Sequence, residues 1–247
     1  MAKVSQQTAA KRRVGLIIPA SNRMVEQEMA HHYPANVIVH VNRLRMTGEQ
    51  KMPLRNLLPY ITDSAAALVD AKCEVVTFHC TANSTEEGLD GEARILTALQ
   101  AGGARVRSST ATAVRRALEA LGARRIVLVT PYSQAVTDHE AEFFRGIGVE
   151  VLTAIGHDLG TSDAYCGTPP SFWLDAVMKA RNADADLYFL SCANISGFKV
   201  IDQLERQLER PVITSNQVVI WDQIGKHGLG LPPVGNDVCP GRLIACA

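Results

Sequence analysis

Two cysteines, Cys80 and Cys192, lie in closely similar surroundings in the first and second parts of the chain. Each ends an apolar run, VVTFHC or LYFLSC, and each is followed by a short polar turn with a serine four residues on, Ser84 or Ser196. A thiolate can attack carbon or take a proton from one face of a bound molecule, and a thiol can deliver a proton from the other. The pair therefore predicts covalent or acid–base chemistry that needs no metal and no organic cofactor.

The spacing of the cysteines recurs elsewhere in the chain. VGLIIP ends at Pro19 and IVLVTP ends at Pro131, and the interval between these prolines equals the interval between the cysteines. A looser pair of strand-like runs reaches Ser109 and Ser215. Recurrence at a fixed offset indicates internal duplication. We therefore expect two homologous halves that face each other, each supplying one thiol to a shared site.

Short apolar runs alternate with segments of helical period, which predicts an α/β fold with parallel sheets. The predicted strands are 14–19, 37–41, 74–80, 125–130, 149–156, 186–192 and 211–215, and the predicted helices are 111–123, 141–148, 172–183 and 201–209. With the repeat, this pattern predicts two Rossmann-like (flavodoxin-like) halves related by a pseudo-two-fold axis, with the active site in the cleft between them. The halves are predicted to be 14–110, packed with the C-terminal segment 226–247, and 111–225.

Ligands of open α/β sheets bind outside the carboxyl ends of the strands, where both cysteines are predicted to lie. A helix beginning just after such a strand would favour the thiolate, so we expect a lowered pKa at Cys80 and Cys192. Ser84 and Thr85 are predicted to cap the helix that follows Cys80. His79 is predicted to be packed or hydrogen-bonded, because neighbours on a strand point to opposite faces.

The composition argues against several classes of function. The chain has 25 basic and 25 acidic residues, so no bulk charge favours a nucleic acid or a membrane surface. No apolar run approaches the ~20 residues of a membrane span. The six cysteines show no zinc-ligand spacing, and no glycine-rich nucleotide-binding motif is present. We expect a soluble, cytoplasmic protein without metal or cofactor.

Several segments carry a resemblance to a known family: VGLIIPASN, the run ending at Cys80, STATAVRRALEALGARRIVLVTPY, DLYFLSCANI and RPVITSNQVVIWD. Over about residues 13–245 the chain resembles the aspartate/glutamate racemase superfamily. Within it, the chain is most similar to the branch of maleate cis-trans isomerases and arylmalonate decarboxylases. Arylmalonate decarboxylases carry a small residue, typically glycine, in place of the first cysteine, so Cys80 argues against that activity.

The resemblance implies that Cys80 adds to the double bond of a small cis-dicarboxylate such as maleate. The adduct then rotates about a single bond, and Cys192 donates and recovers a proton. The predicted substrate-binding residues are Ser21, Asn22, Thr81, Asn83, Tyr132, Ser133, Ala193 and Asn194, of which Asn22 and Tyr132 match the family's carboxylate-binding residues. The family also implies a homodimer or a larger homo-oligomer.

Three departures from the family pattern leave the substrate open. The run HCTANSTEEG around Cys80 is not the usual one, and two charged residues also differ. Arg23 follows Asn22 where a threonine is usual, and Asp163 stands near the position of a substrate-binding asparagine, where an acidic group would repel a dicarboxylate. The alternatives are racemisation of an amino acid or hydantoin, decarboxylation of an activated malonate, or binding of a small acid without catalysis. A racemase needs two balanced thiols, and the different neighbours of Cys80 and Cys192 argue against such balance.

Overall fold

The structure, a computed structural model, describes residues 11–29, 31–46, 52–226 and 241–243. Its first sheet has four parallel strands in the order β2-β1-β3-β4. These are β1 (Arg12–Pro19), β2 (Val37–Leu44), β3 (Val75–Phe78) and β4 (Val106–Ser109). The second sheet has the order β6-β5-β7-β8, also parallel. These are β5 (Arg125–Thr130), β6 (Glu150–Gly156), β7 (Leu187–Leu190) and β8 (Val212–Thr214).

The matching strand orders confirm the predicted α/β fold with two parallel sheets. Strands β3 and β7, which lead to the two cysteines, begin at Val75 and Leu187, and this interval equals that of the sequence repeat. All seven predicted strands are present, with boundaries that differ by a few residues. The eighth, β4, is the strand-like run that reaches Ser109 in the looser repeat, but it was not among the predicted strands because Val106 is the only apolar residue of VRSS.

Helices connect successive strands, as parallel pairing demands. They are α1 (Val25–Met29), α2 (Leu54–Asp70), α3 (Thr81–Thr85), α4 (Gly88–Ala101), α5 (Thr110–Ala120), α6 (Gln134–Gly146), α7 (Ser162–Gly167), α8 (Pro170–Lys179), α9 (Ile201–Leu208) and α10 (Ser215–Trp221). The predicted helix 141–148 is the second part of α6. Gly122, just beyond α5, adopts a φ of 63°, which suits glycine at a helix C-terminus. No helix in the described ranges is long and apolar enough to cross a bilayer.

The larger apolar core is continuous between the sheets. It joins side chains of β1, such as Leu16, with side chains of β5, such as Leu128, and helices α5 and α10 contact each other within it. A smaller core covers the other face of the first sheet, where Phe78 packs with Ile61 of α2 and Ile95 of α4. The shared core fixes the two sheets relative to each other, and so fixes the distance between their carboxyl ends.

After α10 the chain returns to the first sheet as a π-helical turn, Asp222–Lys226. Asp222 accepts hydrogen bonds from Ser108 Oγ at 2.5 Å and from Arg116 at 2.8 Å. Gln223 donates to Thr77 Oγ1 at 2.9 Å.

The packing of the C-terminal segment 226–247 on the first half stays a prediction. Of its described residues, Arg242 donates its backbone N–H to Glu205 of α9. Residues 227–240 and 244–247 lie outside the described residues.

Candidate active site

A cavity of about 610 Å³ opens at the carboxyl ends of the strands. It is lined by Pro19, Ser21, Asn22, Met46, Cys80, Thr81, Ala82, Asn83, Tyr132, Ser133, Val136, Asp158, Gly160, Thr161, Ser162, Tyr165, Cys192, Ala193 and Asn194. This set contains both predicted catalytic cysteines and all eight predicted substrate-binding residues. The prediction missed the wall formed by residues 158–165, which contributes Tyr165. The only sequence feature that pointed to this wall was Asp163, which departs from the family pattern.

Ser215, at the start of α10, holds the two cysteine turns together. Its Oγ accepts hydrogen bonds from Thr81 Oγ1 at 2.9 Å and from the backbone N–H of Cys192 at 3.1 Å. Thr81 directly follows Cys80, so one hydroxyl connects the turns that carry both thiols. The looser repeat that pairs Ser109 with Ser215 was the sequence signal for this residue.

Each thiol has its own hydrogen-bonding surroundings. The Cys80 thiol donates to Asn83 Oδ1 at 3.2 Å, and Asn83 Nδ2 donates to Glu86 at 3.1 Å. Cys192 Sγ accepts from the backbone N–H of Asn194 at 3.3 Å. Cys192 also has a φ of 148°, in the region that favours glycine. A side chain held in such a conformation is typical of functional sites, where the surrounding structure overcomes the local strain.

The expected lowering of the thiol pKa is wrong. Burial raises the pKa of Cys80 to about 11 and that of Cys192 to about 12. Hydrogen bonds from Asn83 and from Tyr132 act in the opposite direction on the two thiols, but desolvation of the charged form is the larger effect. The helix after Cys80 has only five residues, and no helix directly follows Cys192, so the expected dipole contribution is small.

Asn22 joins the first half to the second at the cavity wall. Its Oδ1 accepts from the backbone N–H groups of Met24 and Val25, both at 3.0 Å, and its Nδ2 donates to the carbonyl of Ala193 at 3.0 Å. Asn194 makes the reciprocal contact, because its Oδ1 accepts from the backbone N–H of Arg23 at 2.9 Å. These amides fix the relative position of the turns that follow β1 and β7.

The two charged departures from the family pattern, Arg23 and Asp163, contact each other. The guanidinium of Arg23 forms a short hydrogen-bonded ion pair with the carboxylate of Asp163, and both side chains are largely exposed. The pair joins the turn after β1 to α7, beside the lining residues Asn22 and Ser162. The repulsion expected from Asp163 is therefore offset by a neighbouring positive charge.

His79 belongs to a buried polar network beneath the cysteine turns. Its ring nitrogens contact Thr110 Oγ1 at 3.0 Å and Asn216 Oδ1 at 2.8 Å, and Asn216 Nδ2 donates to Glu28 at 2.8 Å. The prediction of a hydrogen-bonded His79 is confirmed, and burial lowers its pKa to about 4. This neutral histidine is not among the residues that line the cavity of the thiols.

Glu28 lies in the first turn of α1 and is 8% exposed within the His79 network. One smaller prediction is wrong. The helix after Cys80 begins at Thr81, so Ser84 lies inside it and accepts from the backbone N–H of Ala111 at 3.1 Å instead of capping α3. Among the residues that the structure describes, no cluster of three or more His, Cys, Asp or Glu side chains could hold a metal ion.

Known proteins that are similar to this chain include maleate isomerases and an arylmalonate decarboxylase. A maleate isomerase from Geobacillus stearothermophilus is 28% identical over 224 residues, 85% of this chain and 89% of that protein. An arylmalonate decarboxylase from Bordetella bronchiseptica is 26% identical over 229 residues, 91% of this chain and 94% of that protein.

The solved structures support the same fold. A mutant of the maleate cis-trans isomerase from Nocardia farcinica, with a covalently bound succinylcysteine intermediate, superimposes with a TM-score of 0.83 at 23% identity, covering 95% of this chain and 98% of that one. The family model for arylmalonate decarboxylase matches residues 14–238. Because this match spans almost the whole chain, the protein belongs to the arylmalonate decarboxylase family.

Proposed function

We propose that the protein is a cofactor-independent cis-trans isomerase of a small unsaturated dicarboxylate of the maleate type. The observation that carries the proposal is that Cys80 and Cys192 line one cavity together, with hydroxyl and amide groups around them. The resemblance assigns a cysteine at the first position to the isomerases and a small residue to the decarboxylases. The relative from Geobacillus stearothermophilus, a maleate isomerase, supports the same choice.

The chemistry proceeds through one covalent adduct. The thiolate of Cys80 attacks one carbon of the double bond, and the electron pair of that bond moves to the other carbon, where the thiol of Cys192 delivers a proton. The remaining carbon–carbon single bond rotates. Cys192 then recovers the proton, the double bond re-forms in the trans geometry and the carbon–sulfur bond breaks. The succinylcysteine in the Nocardia farcinica protein is an adduct of this kind.

Polar groups around the thiols would bind the two carboxylates. Ser133 Oγ accepts from the backbone N–H of Val136, which leaves its hydroxyl hydrogen to donate to a substrate oxygen. The second hydrogen of Asn22 Nδ2 offers a further donor beside the cavity. The resemblance gives Tyr132 a carboxylate-binding role, and its hydroxyl also hydrogen-bonds Cys192. Such donors stabilise the enolate-like charge that develops as the sulfur adds. A homodimer or larger assembly stays a prediction.

The test follows maleate by proton NMR in D2O with the wild-type protein and with Cys80→Ala and Cys192→Ala. We expect fumarate from the wild type, a loss of about 10²- to 10⁴-fold in kcat for Cys192→Ala, and at least as large a loss for Cys80→Ala. Cys73→Ala is the matched control, because Cys73 is a partly buried thiol outside the cavity. Maleate turnover that survives Cys80→Ala would contradict the covalent mechanism.

The same measurement separates the alternatives. Aspartate, glutamate, a hydantoin and phenylmalonate are incubated in parallel. Deuterium exchange with loss of optical activity would identify a racemase, and release of carbon dioxide from phenylmalonate would identify a decarboxylase. If the wild-type protein turns over none of these compounds and not maleate, the catalytic proposal fails.

A further inference from the structure

A chain of hydrogen bonds runs from the Cys80 thiol along one face of α3. The thiol donates to Asn83 Oδ1 at 3.2 Å, and Asn83 Nδ2 donates to Glu86 Oε2 at 3.1 Å. Cys80 immediately precedes the helix and Glu86 immediately follows it, with Asn83 midway between them. Residues three positions apart lie on the same face of a helix, so each of these side chains is within reach of the next.

Glu86 determines which end of the Asn83 amide meets the thiol. A carboxylate can only accept hydrogen bonds, so it must face the NH2 group of the amide. The amide carbonyl oxygen then faces Cys80, where it accepts from the S–H group but has no hydrogen to donate to a sulfur anion. Rotation of the amide by 180° would direct an N–H donor at the sulfur instead. Glu86 therefore selects the orientation that favours the neutral thiol.

The surroundings hold the amide and the carboxylate in place. Asn83 is only 5% exposed, so its amide cannot exchange its protein partners freely for water. Glu86 is anchored to the neighbouring helix α6, because its backbone carbonyl contacts His139 Nε2 at 2.5 Å. The contact between Glu86 and Asn83 is therefore a fixed part of the structure behind the thiol.

Apolar residues take the places of Asn83 and Glu86 at the second cysteine. At the interval that separates the two cysteines, Asn83 corresponds to Ile195 and Glu86 to Phe198, and both apolar side chains are buried. Cys192 Sγ instead accepts from a backbone N–H group at 3.3 Å. Asn83 and Glu86 also belong to HCTANSTEEG, the run that departs from the family pattern. The amide contact therefore distinguishes the first thiol from the second.

Glu86 lies outside the cavity that holds the thiols. Asn83 lines both that cavity and a neighbouring one of about 360 Å³, whereas Glu86 lines the neighbouring cavity and not that of the thiols. A substrate bound between the thiols therefore does not touch Glu86. Any effect of Glu86 on Cys80 must pass through the Asn83 amide or through the charge of the carboxylate, and experiment can separate the two.

We propose that Glu86 orients Asn83 so that the Asn83 carbonyl keeps Cys80 in its neutral, unreactive form in the empty site. Glu86 is thus a positioning residue that acts through Asn83. The inference rests on the proposed function, because it concerns the thiol to which that function assigns the attack. Since the thiolate is the reactive form of cysteine, this arrangement protects Cys80 from electrophiles other than the bound substrate.

The other influences on Cys80 are consistent with this role. Burial raises the pKa of Cys80 to about 11, and the negative charge of Glu86 acts in the same direction. The backbone N–H of Asn83 acts in the opposite direction, because it can donate to the thiolate. The Asn83 residue therefore offers the sulfur one group that favours the thiol and one that favours the thiolate, and Glu86 controls only the first.

The test is the rate at which Cys80 of the substrate-free protein reacts with iodoacetamide at about pH 8. A Cys73→Ala background removes the nearest thiol in the sequence, and mass spectrometry of the peptide that carries Cys80 gives the rate. Glu86→Met removes the acceptor, so the Asn83 amide can turn and donate Nδ2–H to the sulfur. We expect alkylation to become about 3- to 10-fold faster, because a hydrogen bond to the thiol is replaced by one to the thiolate.

Two single variants separate the orientation of the amide from the effect of charge. Glu86→Asp keeps the negative charge but is one methylene too short for the hydrogen bond, so we expect alkylation to be still about threefold faster. Glu87→Met is the matched control, because Glu87 is the adjacent carboxylate but pairs with Arg94, and it leaves the rate unchanged. If Glu86→Asp reacts at the wild-type rate, the charge alone acts and the proposal is overturned.

A double-mutant cycle shows whether Glu86 acts through Asn83. In an Asn83→Ala background the amide is absent, so adding Glu86→Asp leaves the alkylation rate unchanged. An undiminished acceleration in that background overturns the proposal. Asn83→Leu, of similar volume, replaces the alanine variant if thermal unfolding shows that the latter does not fold. Alkylation requires no turnover, so these outcomes are independent of maleate conversion, and a wild-type protein that does not convert maleate counts against the proposed function alone.

Discussion

At the scale of single residues, the ion pair of Arg23 with Asp163 determines whether the cavity entrance repels a dicarboxylate. From the sequence, Asp163 was a lone acidic group that would repel a dicarboxylate. In the structure, its carboxylate is paired with Arg23, which replaces the usual threonine of the first turn. The two departures therefore form one compensated change beside the mouth of the cavity, and they are compatible with a doubly charged substrate.

Separating the pair gives the first prediction. Asp163→Asn leaves the Arg23 charge unopposed beside the cavity, so KM for maleate falls about threefold at low ionic strength. Arg23→Thr leaves Asp163 unopposed and raises KM by a similar factor. Both differences shrink in about 0.5 M salt, where the screening length is only a few ångströms. Initial rates at two salt concentrations check this, and equal KM values for the two variants at low salt would contradict it.

The sequence predicted the members of the site better than it predicted their chemistry. All ten predicted residues line the cavity because they follow strand ends, and strand ends can be recognised from apolar runs and the repeat. The pKa of each thiol depends on how much surrounding chain excludes water. The exclusion of water from each thiol arises from packing between the halves. It therefore cannot be predicted from the local sequence around Cys80 or Cys192.

At the scale of elements, the strands were more predictable than the helices. Helix α2 was missed because Pro59 lies inside it and interrupts the helical pattern, although Leu57 and Ile61 pack against the first sheet. Strand β4 was recognised only as the strand-like run before Ser109, because Val106 is its single apolar residue. Both elements are stabilised by contacts with neighbouring elements, which override weak local signals.

The end of β6 positions the Tyr132 turn and gives the second prediction. A Cβ on Gly156 would lie 2.6 Å from Thr137 Oγ1 and 2.7 Å from the carbonyl oxygen of Tyr132. Gly156→Ala therefore displaces the turn that carries Tyr132 and Ser133, lowering kcat/KM for maleate at least about tenfold and stability by about 1–3 kcal/mol.

The matched control for Gly156→Ala is Gly146→Ala at the end of α6. A Cβ on Gly146 would meet no atom within 4 Å, so this variant is neutral or slightly stabilising. Thermal unfolding and steady-state kinetics of both variants provide the check. Equal effects of the two substitutions would mean that the close approach at Gly156 does not position the Tyr132 turn.

At the scale of the whole molecule, the two sheets act as one body because the chain crosses between them. Ser215 and Asn216 of the second half contact Thr81 and His79 of the first. A few residues later Asp222 reaches Ser108, at the end of the first sheet. The repeat predicted two similar halves, but it could not predict this crossing, because the contacts join positions that the repeat does not relate.

The crossing makes Asp222 the residue on which the last prediction rests. Its side chain is 1% exposed, and it pairs with Arg116 of α5 at 2.8 Å while accepting the 2.5 Å hydrogen bond from Ser108. Asp222→Asn keeps the shape and an acceptor for Ser108 but removes the charge, so the ion pair with Arg116 is lost. Because a buried charge-assisted contact becomes a neutral one, and Arg116 is 31% exposed, we expect the free energy of unfolding to fall by about 1–3 kcal/mol. Asp184→Asn is the control, since Asp184 is 79% exposed and lies 4.0 Å from Arg125, and it costs under about 1 kcal/mol. Urea unfolding followed by tryptophan fluorescence measures the free energy of unfolding of both variants.

If the crossing holds the halves together, Asp222→Asn also lowers maleate turnover, because Ser215 and the two cysteine turns share the segment that Asp222 anchors.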